Sequence, residues 1–174
     1  MRNIQFSFMN FRFARQVVLA LLVLSAAVAP NRASADESFR PFKLKTLEGT
    51  QRSLSEILGK ATVVVFFFPT CKYCNAAFPE IQKIYDSYKD RGLSMVWINI
   101  VPEENSLIKN WQATHGYTVP ILLGGKSVQN DYKLSETPTH YLLDSRGKII
   151  SKHSGYKPGE LERQIQQALG IPDH

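Results

Sequence analysis

The sequence predicts an α/β fold in which a mixed central β-sheet is flanked by helices. Residues 62–68 (TVVVFFF) form an apolar run without alternation, which is typical of a strand buried on both faces, and residues 93–101 (LSMVWINIV) form a second apolar strand. Segments with the spacing of amphipathic helices follow both runs. Of the 174 residues, 44% are hydrophobic and 21% are charged, and this composition fits one ordinary globular domain.

An N-terminal β-hairpin extension is predicted ahead of the first buried strand. Residues 42–45 alternate like a short strand, and Glu48 and Gly49 form a turn after it. Residues 53–56 (SLSE) fit a capping box, which opens a short helix that Gly59 ends.

Three helices and a second hairpin are predicted in the rest of the chain. Residues 71–91 carry apolar side chains at helical spacing, and Gly92 suits a helix C-cap. The hairpin is predicted over residues 139–151, and the other two helices over residues 103–115 and 158–169. The order is strand, helix, strand, helix, hairpin and helix, which predicts a mixed sheet with helices on its faces.

The beginning of the chain has the pattern of an export signal. Three arginines precede an apolar run of twelve residues (17–28), and Ala-Ser-Ala at 33–35 supplies a small-residue cleavage site. We therefore predict a signal peptide over residues 1–35 and a single domain over residues 36–174, located in the periplasm. The alternative is an uncleaved leader that anchors the domain in the inner membrane, facing the periplasm.

Most of the positive charge belongs to this leader. The formal net charge is +6, but residues 1–35 contain four arginines and no acid, so residues 36–174 carry 17 basic and 15 acidic side chains. A nearly neutral domain lacks the basic surface that nucleic acid binding requires. We expect no nucleic acid partner, and membrane contact only through the leader if it is uncleaved.

The two cysteines of the chain, Cys71 and Cys74, stand between the first buried strand and the predicted helix. A helix N-terminus presents unpaired N–H groups and a positive dipole end, both of which favour a thiolate. Because such settings lower a cysteine pKa from near 8.5 to about 3.5–7.5, Cys71 is predicted to be the nucleophile. Lys72 adds a positive charge beside it, and Tyr73 is expected to offer apolar contact to a partner. Cys74, one helical turn later, can close a disulfide with Cys71.

Three kinds of site fit a Cys-x-x-Cys pair in an exported chain. A structural disulfide would close a loop of only four residues and would constrain the unfolded chain little. A metal site, as in a copper chaperone, would use both cysteines and a histidine. The histidines are His115, His140, His153 and His174, and none are spaced as in a zinc finger. Redox catalysis agrees best with the spacing and the strand-to-helix setting, and metal binding remains the alternative.

Further motifs surround the cysteine pair. Pro79 stands within the predicted helix, Leu-Glu-Gly at 47–49 precedes the capping box, and residues 136–149 read ETPTHYLLDSRGKI. With these motifs the chain resembles, over residues 39–169, the thioredoxin superfamily and its exported TlpA/ResA-like branch, a domain of the AhpC/TSA–redoxin type. Residues 119–132 are similar to the central insert of that branch.

The resemblance implies a thioredoxin fold and a thiol–disulfide oxidoreductase, for which we expect no cofactor and no metal. It implies that Pro138 is the cis-proline of the family and that Thr137 offers its backbone to an extended substrate segment. The expected partners are exported protein thiols and disulfides, with a membrane thiol reductase as electron donor. The expected activity is reduction of disulfides in exported proteins, with cytochrome c maturation as a candidate setting.

The sequence departs from the family close to the cysteines. Thr70 stands where thioredoxins usually carry Trp, and the dipeptide between the cysteines lacks the family's proline. Val65 and Ala77 stand where cytoplasmic thioredoxins and ResA-like proteins, respectively, carry an acid, so the usual proton acceptors for Cys74 are missing. His140 is expected either near the cysteines or on a strand, facing a neighbouring helix or solvent.

Overall fold

The computed structural model describes residues 37–172 of the chain. The predicted leader and His174 lie outside these residues. Within residues 37–172, no helix is both long and apolar enough to cross a membrane. The described elements are β1 (Lys43–Thr46), β2 (Gln51–Ser53), α1 (Leu54–Ile57), β3 (Ala61–Phe67), α2 (Lys72–Tyr88), β4 (Leu93–Asn99), α3 (Asn105–Thr114), β5 (Ile121–Leu123), α4 (Gly125–Asp131), β6 (Thr139–Asp144), β7 (Ile149–Ser154) and α5 (Glu160–Leu169).

The seven described strands form one mixed sheet with the order β2-β1-β5-β4-β3-β6-β7. β3 pairs with β4 in parallel along its whole length, β5 extends the parallel part beside β4, and the other neighbours are antiparallel. The predicted N-terminal hairpin, β1 and β2, lies at one edge of the sheet, where β1 pairs with β5. These features confirm the predicted fold class.

The central strand β3 is completely buried because helices cover both faces of the sheet. Its odd-numbered side chains, such as Val65, pack with the two cysteines and with residues of α2 and α5. Its even-numbered side chains, such as Phe66, pack on the other face with residues of α1 and α4. Since neighbouring side chains of a strand point to opposite faces, an apolar run without alternation is what a strand covered on both sides requires.

The ends of three helices differ from the prediction by two or three residues. α3 begins at Asn105, two residues later than predicted. α2 ends at Tyr88, and a single 3-10 turn continues the chain to Gly92, which has a left-handed φ of 106°. α5 begins at Glu160, two residues later than predicted. The reason is Gly159, whose φ of 75° lies in the left-handed region and therefore outside the helix.

The predicted capping box is present at the start of α1. The carboxylate of Glu56 accepts the backbone N–H of Ser53 at 2.6 Å. α1 itself ends at Ile57, before the predicted stop at Gly59. The insert at residues 119–132, to which the pattern assigned no elements, forms β5 and α4.

Candidate redox site

The two cysteines stand where β3 ends and α2 begins. After β3 the chain turns, with the N–H of Cys71 donating to the carbonyl of Phe68 at 3.0 Å. Cys71 caps α2 with an extended backbone (φ −70°, ψ 111°), and its Sγ accepts the N–H of Cys74 at 3.1 Å. The two Sγ atoms form a disulfide between Cα atoms 5.2 Å apart.

The two cysteines differ in their contact with solvent. Cys71 keeps 5% exposure and lines an open groove, whereas Cys74 is fully buried within the hydrophobic cluster under α2. A large partner therefore meets the sulfur of Cys71 before that of Cys74.

Thr137 and Pro138 lie directly across from Cys71, in the turn before β6. The peptide bond between them is cis, as the family resemblance implies. The hydroxyl of Thr137 donates to Cys71 Sγ at 3.3 Å, and the Thr137 carbonyl oxygen lies 3.7 Å from the same sulfur. The structure thus brings together Cys71, Thr137 and Pro138, which are separated by 66 residues or more in the chain.

A groove of about 940 Å³ opens beside Cys71. Lys72 and Tyr73 both line it, and the Tyr73 ring is 75% exposed although it is a large apolar side chain. One wall comes from α2 and the other from the turns on either side of the hairpin β6–β7; among the lining residues are Ala76, Ala77, Glu80, Glu136, Thr137, Tyr156 and Pro158.

Glu80 and Tyr156 also line this groove and were not predicted from the sequence. Burial and the neighbouring Glu80 carboxylate raise the pKa of Tyr156 above its ordinary value. Within residues 37–172, the buried Tyr156 hydroxyl has no hydrogen-bond partner of good geometry. Helical spacing could have identified Glu80, because it lies seven residues after Tyr73 on α2 and hence on the same helix face. No such spacing in the sequence indicates Tyr156, which follows β7.

His140 faces its neighbouring strand and helix, the second of the two positions expected for it. It pairs in register with Val65 of β3, is only 3% exposed, and stacks on His153 with ring centroids 5.4 Å apart. His140, His153, Lys157 and Glu160 line a small cavity of about 70 Å³. Burial, and after it the neighbouring His153, lower the pKa of His140 to about 4.

The described residues offer no support for the alternative metal site. In the part of the chain between residues 37 and 172, no three His, Cys, Asp or Glu side chains are grouped so that they could hold a metal ion. His115 stacks on Tyr117 at the end of α3, and His140 and His153 pair with each other. His174 lies outside the described residues.

Comparison with known proteins agrees with this geometry. Residues 35–152 match the AhpC/TSA family. The chain belongs to this family. The thioredoxin-like protein YneN of Bacillus subtilis is 34% identical over 132 residues, which make up 75% of this chain and 75% of YneN. The thiol-disulfide oxidoreductase ResA of Halalkalibacterium halodurans is 28% identical over 140 residues, which make up 80% of this chain and 77% of ResA.

Solved structures give the same result for the fold. A structure described as the thiol:disulfide interchange protein DsbE from Chlorobium tepidum superposes with a TM-score of 0.71 at 25% identity, covering 78% of this chain and 98% of that one. StoA from Bacillus subtilis superposes with a TM-score of 0.61 at 25% identity, covering 72% and 96%. Together with the Cys71–Cys74 pair, these relatives confirm the prediction of a thioredoxin-fold thiol–disulfide oxidoreductase.

Proposed function

We propose that the protein reduces disulfides of exported proteins through Cys71 and Cys74. The Cys71 thiolate attacks one sulfur of a client disulfide, which forms a mixed disulfide and releases the other client sulfur as a thiolate. The thiolate of Cys74 then attacks the Cys71 sulfur. The client leaves with both sulfurs reduced, the pair becomes the Cys71–Cys74 disulfide, and two electrons have passed to the client.

The difference in exposure between the cysteines carries this assignment of roles. Cys71 lines the groove and Cys74 is fully buried, so a client disulfide can reach the sulfur of Cys71 before that of Cys74. The Cys74 N–H and the Thr137 hydroxyl both donate to Cys71 Sγ. Hydrogen bonds from such donors stabilise a negative charge on the acceptor, which favours Cys71 as the attacking and leaving sulfur.

In the same proposal, Thr137 and Pro138 dock the client. The Thr137 carbonyl lies next to Cys71 Sγ, so a client strand that bonds to this backbone would bring its own sulfur within reach. The exposed ring of Tyr73 supplies apolar contact at the mouth of the groove, and Lys72 supplies positive charge beside the reacting sulfur.

We propose further that residues 1–35 export the domain to the periplasm, as a cleaved signal peptide or as an inner-membrane anchor. In that oxidising compartment the dithiol needs a continuing source of electrons, which we assign to a membrane thiol reductase. Apocytochrome c is a candidate client, because its Cys-x-x-Cys-His haem-attachment site can itself form a disulfide.

A trapping experiment tests the roles of the two cysteines. Because Cys74→Ser removes the resolving thiol, it should accumulate mixed disulfides through Cys71, whereas Cys71→Ser should accumulate none. Both variants should lose turnover in a disulfide-reduction assay by several orders of magnitude, as enzymes do when a nucleophile is removed. Mixed disulfides through Cys74 in the Cys71→Ser variant would reverse the assigned roles.

The direction of electron flow is tested by the reduction potential of the domain, equilibrated against defined ratios of reduced and oxidised dithiothreitol or glutathione. A value near that of thioredoxin, about −270 mV, is expected for a reductant that depends on a recharging partner. A value near that of DsbA, about −120 mV, would instead indicate an oxidant or isomerase.

A further inference from the structure

The side chain of Asn75 ties the turn before α2 to helix α3. Its Nδ2 donates to the carbonyl of Pro69 at 2.7 Å and to the carbonyl of Cys71 at 3.0 Å. Its Oδ1 accepts the indole N–H of Trp111 at 3.0 Å. Both ends of the amide are therefore engaged, one by the turn that carries the reactive cysteine and the other by α3.

Trp111 is a fixed support for this amide. Its ring stacks on Phe67 of β3 with centroids 5.2 Å apart and meets the ring of Phe78 edge-on at 5.8 Å. An indole N–H can only donate, so it orients the Asn75 amide with its oxygen toward Trp111 and its NH2 group toward the turn. The packing of Trp111 against Phe67 and Phe78 thus fixes the orientation of the Asn75 amide, whose NH2 group bonds to the turn.

We propose that Asn75 and Trp111 are positioning residues that hold Cys71 in its reactive geometry. The inference rests on the proposed role of Cys71 as the attacking thiol. Cys71 Sγ receives the N–H of Cys74 and the hydroxyl of Thr137 only while the Cys71 backbone keeps its place at the start of α2. Without the amide, the Pro69 and Cys71 carbonyls lose a shared donor and the turn gains freedom, so the sulfur loses part of its stabilisation as a thiolate.

The sharpest test removes one hydrogen-bond donor from this network. Trp111→Phe keeps an aromatic ring against Phe67 but takes the donor away from Asn75. The measurement is the rate at which iodoacetamide alkylates Cys71 in the reduced domain, followed over a range of pH. At neutral pH the rate should fall by up to about fivefold, because the loss of one hydrogen bond of ordinary strength sets the upper limit of the effect, and the rise in rate should move to higher pH.

A second variant and a matched control complete the design. Asn75→Ala should reduce the rate at least as much as Trp111→Phe, and the double variant should be little slower than Asn75→Ala alone, because the two side chains act as one unit. Trp97→Phe is the control. Among the described residues the indole nitrogen of Trp97 has no hydrogen-bond partner, so this change alters core packing without breaking a bond to Asn75.

The outcomes separate this inference from the proposed function. If mass spectrometry of the wild-type domain finds Cys71 labelled first, and both variants keep the wild-type pH profile while unfolding at lower temperature, the network is merely structural and the inference is wrong. An equal slowing by Trp97→Phe would overturn it as well, because packing alone would then explain the effect. If Cys74 is labelled first in the wild type, the assignment of roles fails, and the inference fails with it.

Discussion

Cys71 and His140 lie on the same face of the sheet, but their surroundings have opposite effects on charge. The groups around Cys71 stabilise a charged side chain, whereas those around His140 destabilise one. At Cys71, a backbone N–H and the Thr137 hydroxyl point at the sulfur, so negative charge there has two donors. At His140, burial disfavours positive charge, and within residues 37–172 the ring nitrogen Nδ1 has no hydrogen-bond partner. Both groups are nearly excluded from water, so their different neighbours decide which charge each can carry.

This contrast separates the chemistry of the domain from its stability. A sulfur that already accepts hydrogen bonds in the folded protein can become negatively charged during a reaction without disturbing the fold. A buried imidazole that has no acceptor for a second N–H takes up a proton only at a cost in folding free energy. The domain is therefore expected to lose stability in mild acid through His140, and to lose reactivity through changes at the donors of Cys71.

The largest expected effect comes from His140. Its pKa falls from the ordinary value of 6.5 to about 4 in the folded domain, so between these values the unfolded chain binds more protons than the folded one, and stability declines as pH falls. The pKa difference corresponds to about 3 kcal/mol lost between pH 7 and pH 4. Urea unfolding of the oxidised domain at several pH values measures this loss, and His140→Leu should remove most of it.

The charged neighbours of His140 define the control for this prediction. His153, Lys157 and Glu160 line the same cavity, and Glu160 partly offsets the fall in the His140 pKa. His115→Leu is the control, because it removes a histidine that is exposed at the end of α3 and leaves His140 and the residues around its cavity in place. A pH dependence that persists unchanged in His140→Leu would contradict the assignment.

The second effect concerns the donors at Cys71. Thr137→Val removes the hydroxyl that donates to Cys71 Sγ at 3.3 Å but keeps a branched side chain of similar size. The alkylation rate of reduced Cys71 at neutral pH should fall roughly fivefold, as expected for one lost hydrogen bond. The stability of the domain between pH 7 and pH 4 should follow the wild-type curve, because His140 is untouched.

Thr137→Ser is the matched variant for this prediction. Because it restores a hydroxyl at the same position, it should recover most of the wild-type alkylation rate. If Thr137→Ser were as slow as Thr137→Val, a hydroxyl at this position would not be enough for the wild-type rate. The hydrogen bond to Cys71 Sγ would then not explain the effect, and the comparison between Cys71 and His140 would lose one of its two donors.

Local patterns predicted the fold well, because they depend on residues close together in the chain. The apolar run at β3, the capping box at Ser53 and Glu56, and the helical spacing over α2 all correspond to elements of the structure. Elements that depend on distant partners were harder to predict. β5 has only three residues and is defined by pairing with β4 and β1, which no pattern within residues 119–132 encodes.

The residues of the candidate site also differ in whether a local pattern or a distant partner determines them. Cys71 and Cys74 follow from their spacing and setting, and Thr137 and Pro138 follow from a motif. The contact between Asn75 and Trp111 joins residues 36 positions apart through a single hydrogen bond, and neither residue belongs to a motif. The position of His140 was left open because its neighbours, His153 and Glu160, come from the following strand and helix.

The smallest expected effect distinguishes long-range charge from the short-range donors at Cys71. Lys72 is exposed and lines the groove beside Cys71, so its charge acts on the sulfur partly through solvent. Lys72→Gln should slow the reaction of Cys71 with an anionic disulfide reagent about twofold at low ionic strength, and the difference should disappear near 1 M salt, where the Debye length is about 3 Å. Lys83→Gln, an equal change of charge farther along α2, should have a smaller effect. The loss in Thr137→Val should persist at high salt, because a direct hydrogen bond is screened little. A salt-independent loss in Lys72→Gln would mean that Lys72 acts by contact, like the donors, and not by its charge.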